Sequence, residues 1–306
     1  MFQTVFTQVV ILFILIFIGF ILNKLKVLNE DNTKAITDIV LYIATPAVII
    51  KSFIRDFSPQ LLKNLGVGFV AGIVAHVIFI TLSLLLLRSR DISKQKVLQF
   101  GIIFSNCGYM SLPLLQAVLG DDGVFYGATY IAVFQIVIWS YGLFLMGNGF
   151  KDITPKKVLL SPGIIGFVIA FAIFVLQIPI PSIIKQPINY MASLNTPLPM
   201  IVIGYHLANS NVLNGLKDIK LLFAAFIKLI ILPLVAIFGF YICGIRGTMP
   251  LAITTCISAP TAALCTMFAA KFGRDTSLSV TMVSFTTLLS VLTMPVMASL
   301  ANKFLG

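Results

Sequence analysis

Apolar residues in this chain run in long, nearly unbroken stretches, and the polar residues collect in short gaps between them. A helix needs about 20 such residues to cross the hydrocarbon of a bilayer. Windows of that length predict ten helical segments, near 4–23, 33–54, 62–88, 97–119, 122–147, 158–178, 186–208, 219–244, 248–271 and 275–302. The seventh is the most diluted, by Asn189, Asn195, Pro197 and Pro199. The pattern predicts an all-α integral membrane protein.

One segment departs from the pattern at its centre. The fourth carries Phe104–Ser105–Asn106–Cys107–Gly108–Tyr109–Met110–Ser111–Leu112–Pro113 in mid-span. Freed backbone groups cost several kcal/mol each, roughly, in hydrocarbon, so a helix breaks there only where protein, water or a ligand satisfies them. This stretch therefore reads as one wall of a substrate site.

Composition supports the membrane class: 59% of residues are hydrophobic and 10% charged, against about 25% charged in soluble domains. The net charge of +11 does not point to nucleic acid, because the basic residues are spread over short connecting loops. Fourteen of the 21 Lys and Arg fall after the odd-numbered segments. The positive-inside rule then puts both termini outside the cytoplasm of a multi-pass protein in the cell membrane. Met1–Phe6 lacks the basic start of a cleavable leader and reads as the beginning of a first span. Cys107, Cys243, Cys256 and Cys265 have no metal-type spacing and are expected to be free thiols.

The polar stretch near 148–157 divides the ten segments into halves, residues 1–147 and 158–306, joined by a cytoplasmic linker. Thr45–Pro46 meets Thr196–Pro197 at an offset of 151, His76 meets Lys228 at 152, and Gly120-x-Asp122 meets Gly273-x-Asp275 at 153. With five segments per half, the second copy would enter from the opposite side, as in the inverted repeats of secondary transporters. At the last offset, Asn106–Cys107–Gly108 falls on Ala259–Pro260–Thr261, a second interruption at mid-span. Paired interruptions point to a transporter's binding site, the competing reading being two ordinary kinks. If they cross, two N–H-rich helix starts converge near the midplane, a place suited to an anion.

These residues resemble the auxin efflux carrier family. Asn106-x-Gly108–Tyr109-x-Ser111-x-Pro113 is similar to that family's fourth-span motif, and Ser161–Pro162–Gly163 to the start of its sixth. Ala259–Pro260–Thr261–Ala262–Ala263 is similar to its ninth span, and Thr286–Thr287 through Pro295 to its tenth. The resemblance implies ten spans in two inverted five-helix repeats, with broken spans 4 and 9 crossing near the midplane. Spans 1, 2, 6 and 7 would form a dimerising scaffold, and spans 3–5 and 8–10 a transport unit moving small organic anions in an elevator-like way. The plant exporters of the family have a proline after the span-four Asn, where this chain has Cys107, and an acidic residue in span three, where it has His76. These departures weigh against carrying over indole-acetate specificity, or a proton role, from those exporters.

All ten carboxylates lie at or near segment ends, which argues against a cation carrier or proton pump built on a buried acid. The candidate substrate-binding residues are Ser105, Asn106, Cys107, Gly108, Tyr109, Ala259, Pro260, Thr261, Asn195 and Lys228. Lys228 lies about nine residues, ~14 Å, into its segment; it is either a fixed charge for an anion or a lysine reaching back to the surface. Asn195 either lines the scaffold side of the site or caps a kink. His76 reads as a neutral histidine bonded within the bundle before a substrate or proton group, and Gln135 as a link between helices. No metal site, cofactor or enzymatic centre is expected; the partners are the organic anion, lipid and a second copy of the chain. The expected function is a secondary carrier of a monocarboxylate or dicarboxylate. Na⁺ or H⁺ coupling is left open, with a sodium symporter of the bile-acid type as the alternative and a membrane sensor behind it.

Overall fold

The computed structural model describes residues 2–147, 149, 151, 160–210, 215 and 217–306. Among these residues every regular element is helical. In chain order they are α1 (Phe2–Lys24), α2 (Glu30–Phe53), α3 (Pro59–Leu86), α4 (Ile92–Ile103), α5 (Cys107–Met146) and α6 (Pro162–Leu176). There follow α7 (Ser182–Ser193), α8 (Pro197–Ala208), α9 (Ile219–Ile242), α10 (Thr248–Ser258), α11 (Leu264–Lys271) and α12 (Thr276–Leu305). Six of them, α1, α2, α3, α5, α9 and α12, are long and apolar enough to cross a membrane, α5 being two helices joined by a turn at Gly120. The fourth, seventh and ninth apolar segments are instead assembled from shorter helices with interruptions between them. The expected linker at 148–157 lies largely outside the described residues.

Proline explains where several helices widen. Pro46, Pro113 and Pro233 lack an N–H, and their rings crowd the carbonyl four residues earlier. Each is preceded by a π-type turn, at Val40–Ala44, Cys107–Ser111 and Ile227–Ile231, which absorbs the extra residue. Acidic residues sit at helix starts for a local reason. Asp91, Asp218 and Asp275 are N-caps whose side chains accept from Lys94 N, from Lys220 N and Leu221 N, and from Leu278 N.

Large apolar side chains such as Phe17, Val70, Val77, Phe238 and Leu292 are more than half exposed. A surface of that kind is covered by lipid tails. Inside, helices pair reciprocally across the two halves: α1 packs on α8 and α2 on α6, while α10 packs on α5 and α4 on α12. The matched glycines Gly120 and Gly273 both adopt left-handed backbone, φ 65° and 60°, at the turns beyond the two interruptions. Glycines let α1 and α8 meet backbone to backbone. A Cβ on Gly204 would stand 2.0 Å from Ile16 O, and one on Gly19 2.2 Å from Ile201 O.

One end of the bundle is tied by cations on a helix terminus. Arg274 donates to Met146 O at 2.7 Å and Gly147 O at 3.0 Å, and Lys96 Nζ to Gly147 O at 3.2 Å. These carbonyls have no partner inside α5 and carry the negative end of its dipole. Arg274→Ala is expected to cost about 1–2 kcal/mol, read as a lower melting temperature in detergent; an unchanged melt would show that these ties add nothing.

Candidate functional site

The first interruption begins where α4 ends. Phe104 is extended (φ −102°, ψ 113°), Asn106 takes φ −76°, ψ 50°, and α5 restarts at Cys107. The second begins at Ala259 (φ −63°, ψ 151°), pushed out of the helical region by the following Pro260, and α11 starts at Leu264. The two extended stretches lie antiparallel and pair with each other, Ser105 opposite Thr261. Asn106 N donates to Pro260 O at 2.7 Å, and Ala262 N donates to Phe104 O at 2.9 Å. Backbone groups that neither helix can satisfy are thus exchanged between them, which is how two breaks survive in an apolar interior.

Hydroxyl groups fasten the pair. Thr261 Oγ1 donates to Gly101 O at 2.9 Å, in the last turn of α4. Ser105 Oγ donates to Ile257 O at 3.2 Å and Ser111 Oγ to Thr255 O at 3.3 Å, both in the last turn of α10. Thr261 N donates to Thr286 Oγ1 at 3.1 Å, tying in α12. Sequence reasoning placed Thr286 only in a motif, included Ser111 in the interrupted stretch and its motif without a partner, and gave Thr255 no role. Their partners lie too far along the chain for local spacing to reveal.

The candidate residues divide between two sides of this crossing. On one side Asn106 is buried, and its Nδ2 has no partner among the described residues. Gly108 and Tyr109 beside it are partly exposed, as are Ala263 and Leu264 at the start of α11. Space is open at Gly108, where an added Cβ would meet nothing within 4 Å. Asn195, buried in the gap between α7 and α8, faces this side. Its Oδ1 accepts from Thr45 Oγ1 at 2.9 Å, and its Nδ2 lies 3.5 Å from Gly108 O. The matched Thr45–Pro46 and Asn195–Thr196–Pro197 therefore meet each other. Ala259 packs with Met110, Ile16 and Ile203, between the crossing and the α1–α8 pair.

Lys228 belongs to the other side. It is fully buried and donates to Ser105 Oγ and, at 3.4 Å, to Ile257 O. The lysine neither reaches a surface nor stands open beside Asn106. Its neighbours are Cys107 and His76. His76 Nδ1 donates to Gly72 O at 2.8 Å, the ring stacks on Tyr130 with centroids 5.2 Å apart, and Nε2 is without a partner among the described residues. Nδ1 faces a carbonyl and so carries the proton. Gln135 accepts from Trp139 Nε1 at 3.0 Å and packs over Gly163, so the structure does not bring it to the crossing. All four cysteines are free thiols.

A cavity of 580 Å³ lies elsewhere, between α3 and α9, lined by Val67, Val70, Val74, Val235, Phe240 and Ile257. It is apolar and opens on lipid-exposed side chains, so an anion would find no hydrogen-bond donor along most of it.

A lipid-exposed helical body built around two mutually paired helix breaks has the build of a membrane transporter. The model of the family described as membrane transport protein matches residues 4–155 and 149–298, and the chain belongs to that family, the auxin efflux carriers whose motifs it carries. It is 24% identical over 287 residues to an uncharacterized transporter of Methanothermobacter thermautotrophicus, covering 92% of this chain and 93% of the relative. It is likewise 24% identical over 301 residues to an uncharacterized transporter of Methanocaldococcus jannaschii, covering 93% and 94%. The chain is a multi-pass membrane transporter.

Proposed function

We propose that this protein is a secondary carrier of a small organic anion, a monocarboxylate or a malonate-like dicarboxylate, held on the Asn106 side of the crossing. The observation that carries the reading is the pairing of the two breaks, with the Asn106 side-chain amide beside it unpartnered among the described residues. The start of α5 lies beside Asn106. Its first amides lack helical acceptors and carry the positive dipole end, worth about 0.3–1 kcal/mol to an anion and up to ~2 when partly buried. Gly108 and Thr261 bring backbone close, Tyr109 and Asn195 flank the opening, and Asn106 supplies the directed donor.

In this reading ten spans form two inverted five-helix repeats, which the reciprocal packing of α1 on α8 and α2 on α6 supports. The α1, α2, α6, α7–α8 group is the scaffold, able to dimerise, and the remaining helices carry the crossing past it as an elevator. The carrier resides in the cell membrane with both termini outside. A thermal-shift screen of purified protein tests the chemistry. Carboxylates are expected to raise the melting temperature where their amides and alcohols do not; stabilisation by the neutral analogues alone would remove the anion from the reading.

A further inference from the structure

The apolar cavity between α3 and α9 lies outside the crossing, and no side chain of the protein fills it. On α3 its lining residues recur at steps of three and four from Lys63 to Phe79, so they form a single face of the helix. The apolar part of that face, Val67 to Phe79, rises ~18 Å, close to the ~15 Å of hydrocarbon in one leaflet of a bilayer. Val235, Ala236 and Gly239 of α9 stand opposite, with Ile253 and Ile257 of α10 as the floor. An added Cβ at Gly66 or at Gly239 would meet nothing within 4 Å, so the two walls stand apart.

The groove is polar at one end. Lys63, Val67 and Ile245 also line a second recess, of 420 Å³, whose other walls include Gln60, Asn64, Thr248 and Arg246. The two spaces are therefore one slot with a polar mouth. Asp122 reaches that mouth but is already paired, with Arg55 at 2.5 Å. Neither Lys63 nor Arg246 has a carboxylate partner among the described residues. Arg246 gives one N–H to Phe304 O and lies over the Tyr241 ring, and its guanidinium has further donors to offer. Two unneutralised cations at the mouth of an apolar slot one leaflet deep match an amphiphile with a negative head. We propose that this groove binds an anionic phospholipid, with an acyl chain between α3 and α9 and the headgroup phosphate on Lys63 and Arg246. A zwitterionic headgroup brings its own cation to the same place, so the site selects for net negative charge. The chain rests on Ile253 and Ile257, in the helix that ends at the second break. None of this depends on which guest the protein transports.

Cys243 lines the same groove and is the exposed cysteine of the four; Cys107, Cys256 and Cys265 are buried. Its alkylation by N-ethylmaleimide therefore reports occupancy. The full-length protein in an uncharged detergent is mixed with phosphatidylglycerol or phosphatidylcholine of identical chains, and the modification is followed by intact mass. Phosphatidylglycerol is expected to protect Cys243 at a concentration roughly tenfold lower than phosphatidylcholine. Lys63→Gln is expected to reduce that preference, and Lys63→Gln with Arg246→Gln to abolish it. The Lys63 side chain makes no hydrogen bond or ion pair among the described residues, so the single variant keeps its fold. Lys185→Gln, on α7 outside the groove, removes one cation and is expected to keep the preference. Gly66→Leu places a side chain in the slot and is expected to strip both lipids from the protein, read by native mass spectrometry. Equal protection by the two lipids, or a preference that survives the loss of both cations, would overturn the headgroup site. A preference lost equally in Lys185→Gln would reduce it to a general effect of charge and overturn it as well. Unchanged alkylation with either lipid, or lipid retained by Gly66→Leu, would take the chain out of the groove.

Discussion

Asn106→Ala will leave the protein folded and inserted and will remove its transport. The two effects separate because the Asn106 Nδ2 is buried without a partner among the described residues. An unsatisfied buried donor costs about 1–3 kcal/mol, so its loss should hold or raise the melting temperature. A hydrogen bond from that amide to a charged guest is worth about 1.5–3 kcal/mol, roughly tenfold to a hundredfold in affinity. Melting with and without a carboxylate ligand, beside uptake into liposomes, reads both quantities on one preparation. Pro260→Ala should reach the same functional loss by another route. It restores an N–H at 260 and releases Ala259 from the extended backbone that a following proline demands. Helix α10 can then run on, and Pro260 O, which accepts from Asn106 N at 2.7 Å, moves out of place. Wild-type uptake by both variants would take the crossing out of the mechanism.

The interruptions were legible in the sequence because Asn106, Gly108 and Pro113, and then Pro260, stand inside apolar runs where such residues need a reason. Their mutual pairing followed from the physics of unsatisfied backbone, and the offset that matched them also matched Gly120 to Gly273, which share a left-handed turn. Lys228 was legible only in depth. Its acceptor Ser105 lies 123 residues earlier, and nothing local says which side of the crossing a lysine on α9 will face. Gly68-x-x-x-Gly72 has the spacing that permits close helix packing, yet a Cβ at those positions would meet side chains, of Ile253 and Met249 at one and Val133 at the other. The backbone-on-backbone contact is made by Gly19 and Gly204, single glycines on helices far apart in the chain. A glycine's role there is set by its partner's backbone, which no local motif encodes.

That contact sets the remaining large effect: Gly204→Val will keep α1 and α8 from closing. The new Cβ would stand 2.0 Å from Ile16 O and 2.7 Å from Phe20 N. These are main-chain atoms that cannot turn aside as a side chain does. Restoring an ordinary carbon–oxygen contact parts the helices by about 1 Å or more. Overpacking against movable side chains already costs about 1–3 kcal/mol, so a loss of at least ~3 kcal/mol is expected, seen as a much lower melting temperature or no folded protein. Gly66→Ala on α3 is the matched control; nothing lies within 4 Å of its added carbon, and it should be neutral or gain about 0.5–1 kcal/mol of helix preference. The milder Gly204→Ala connects packing to function. Ile16 and Ile203 pack with Met110 and Ala259 against the open side of the crossing, and Asn195 sits just before α8 with its Nδ2 3.5 Å from Gly108 O. A displaced α8 draws Asn195 away from Gly108, so this variant should lose uptake by more than its melting temperature falls. Equal melting temperatures for Gly204→Val and Gly66→Ala would show that α1 and α8 do not meet at these glycines.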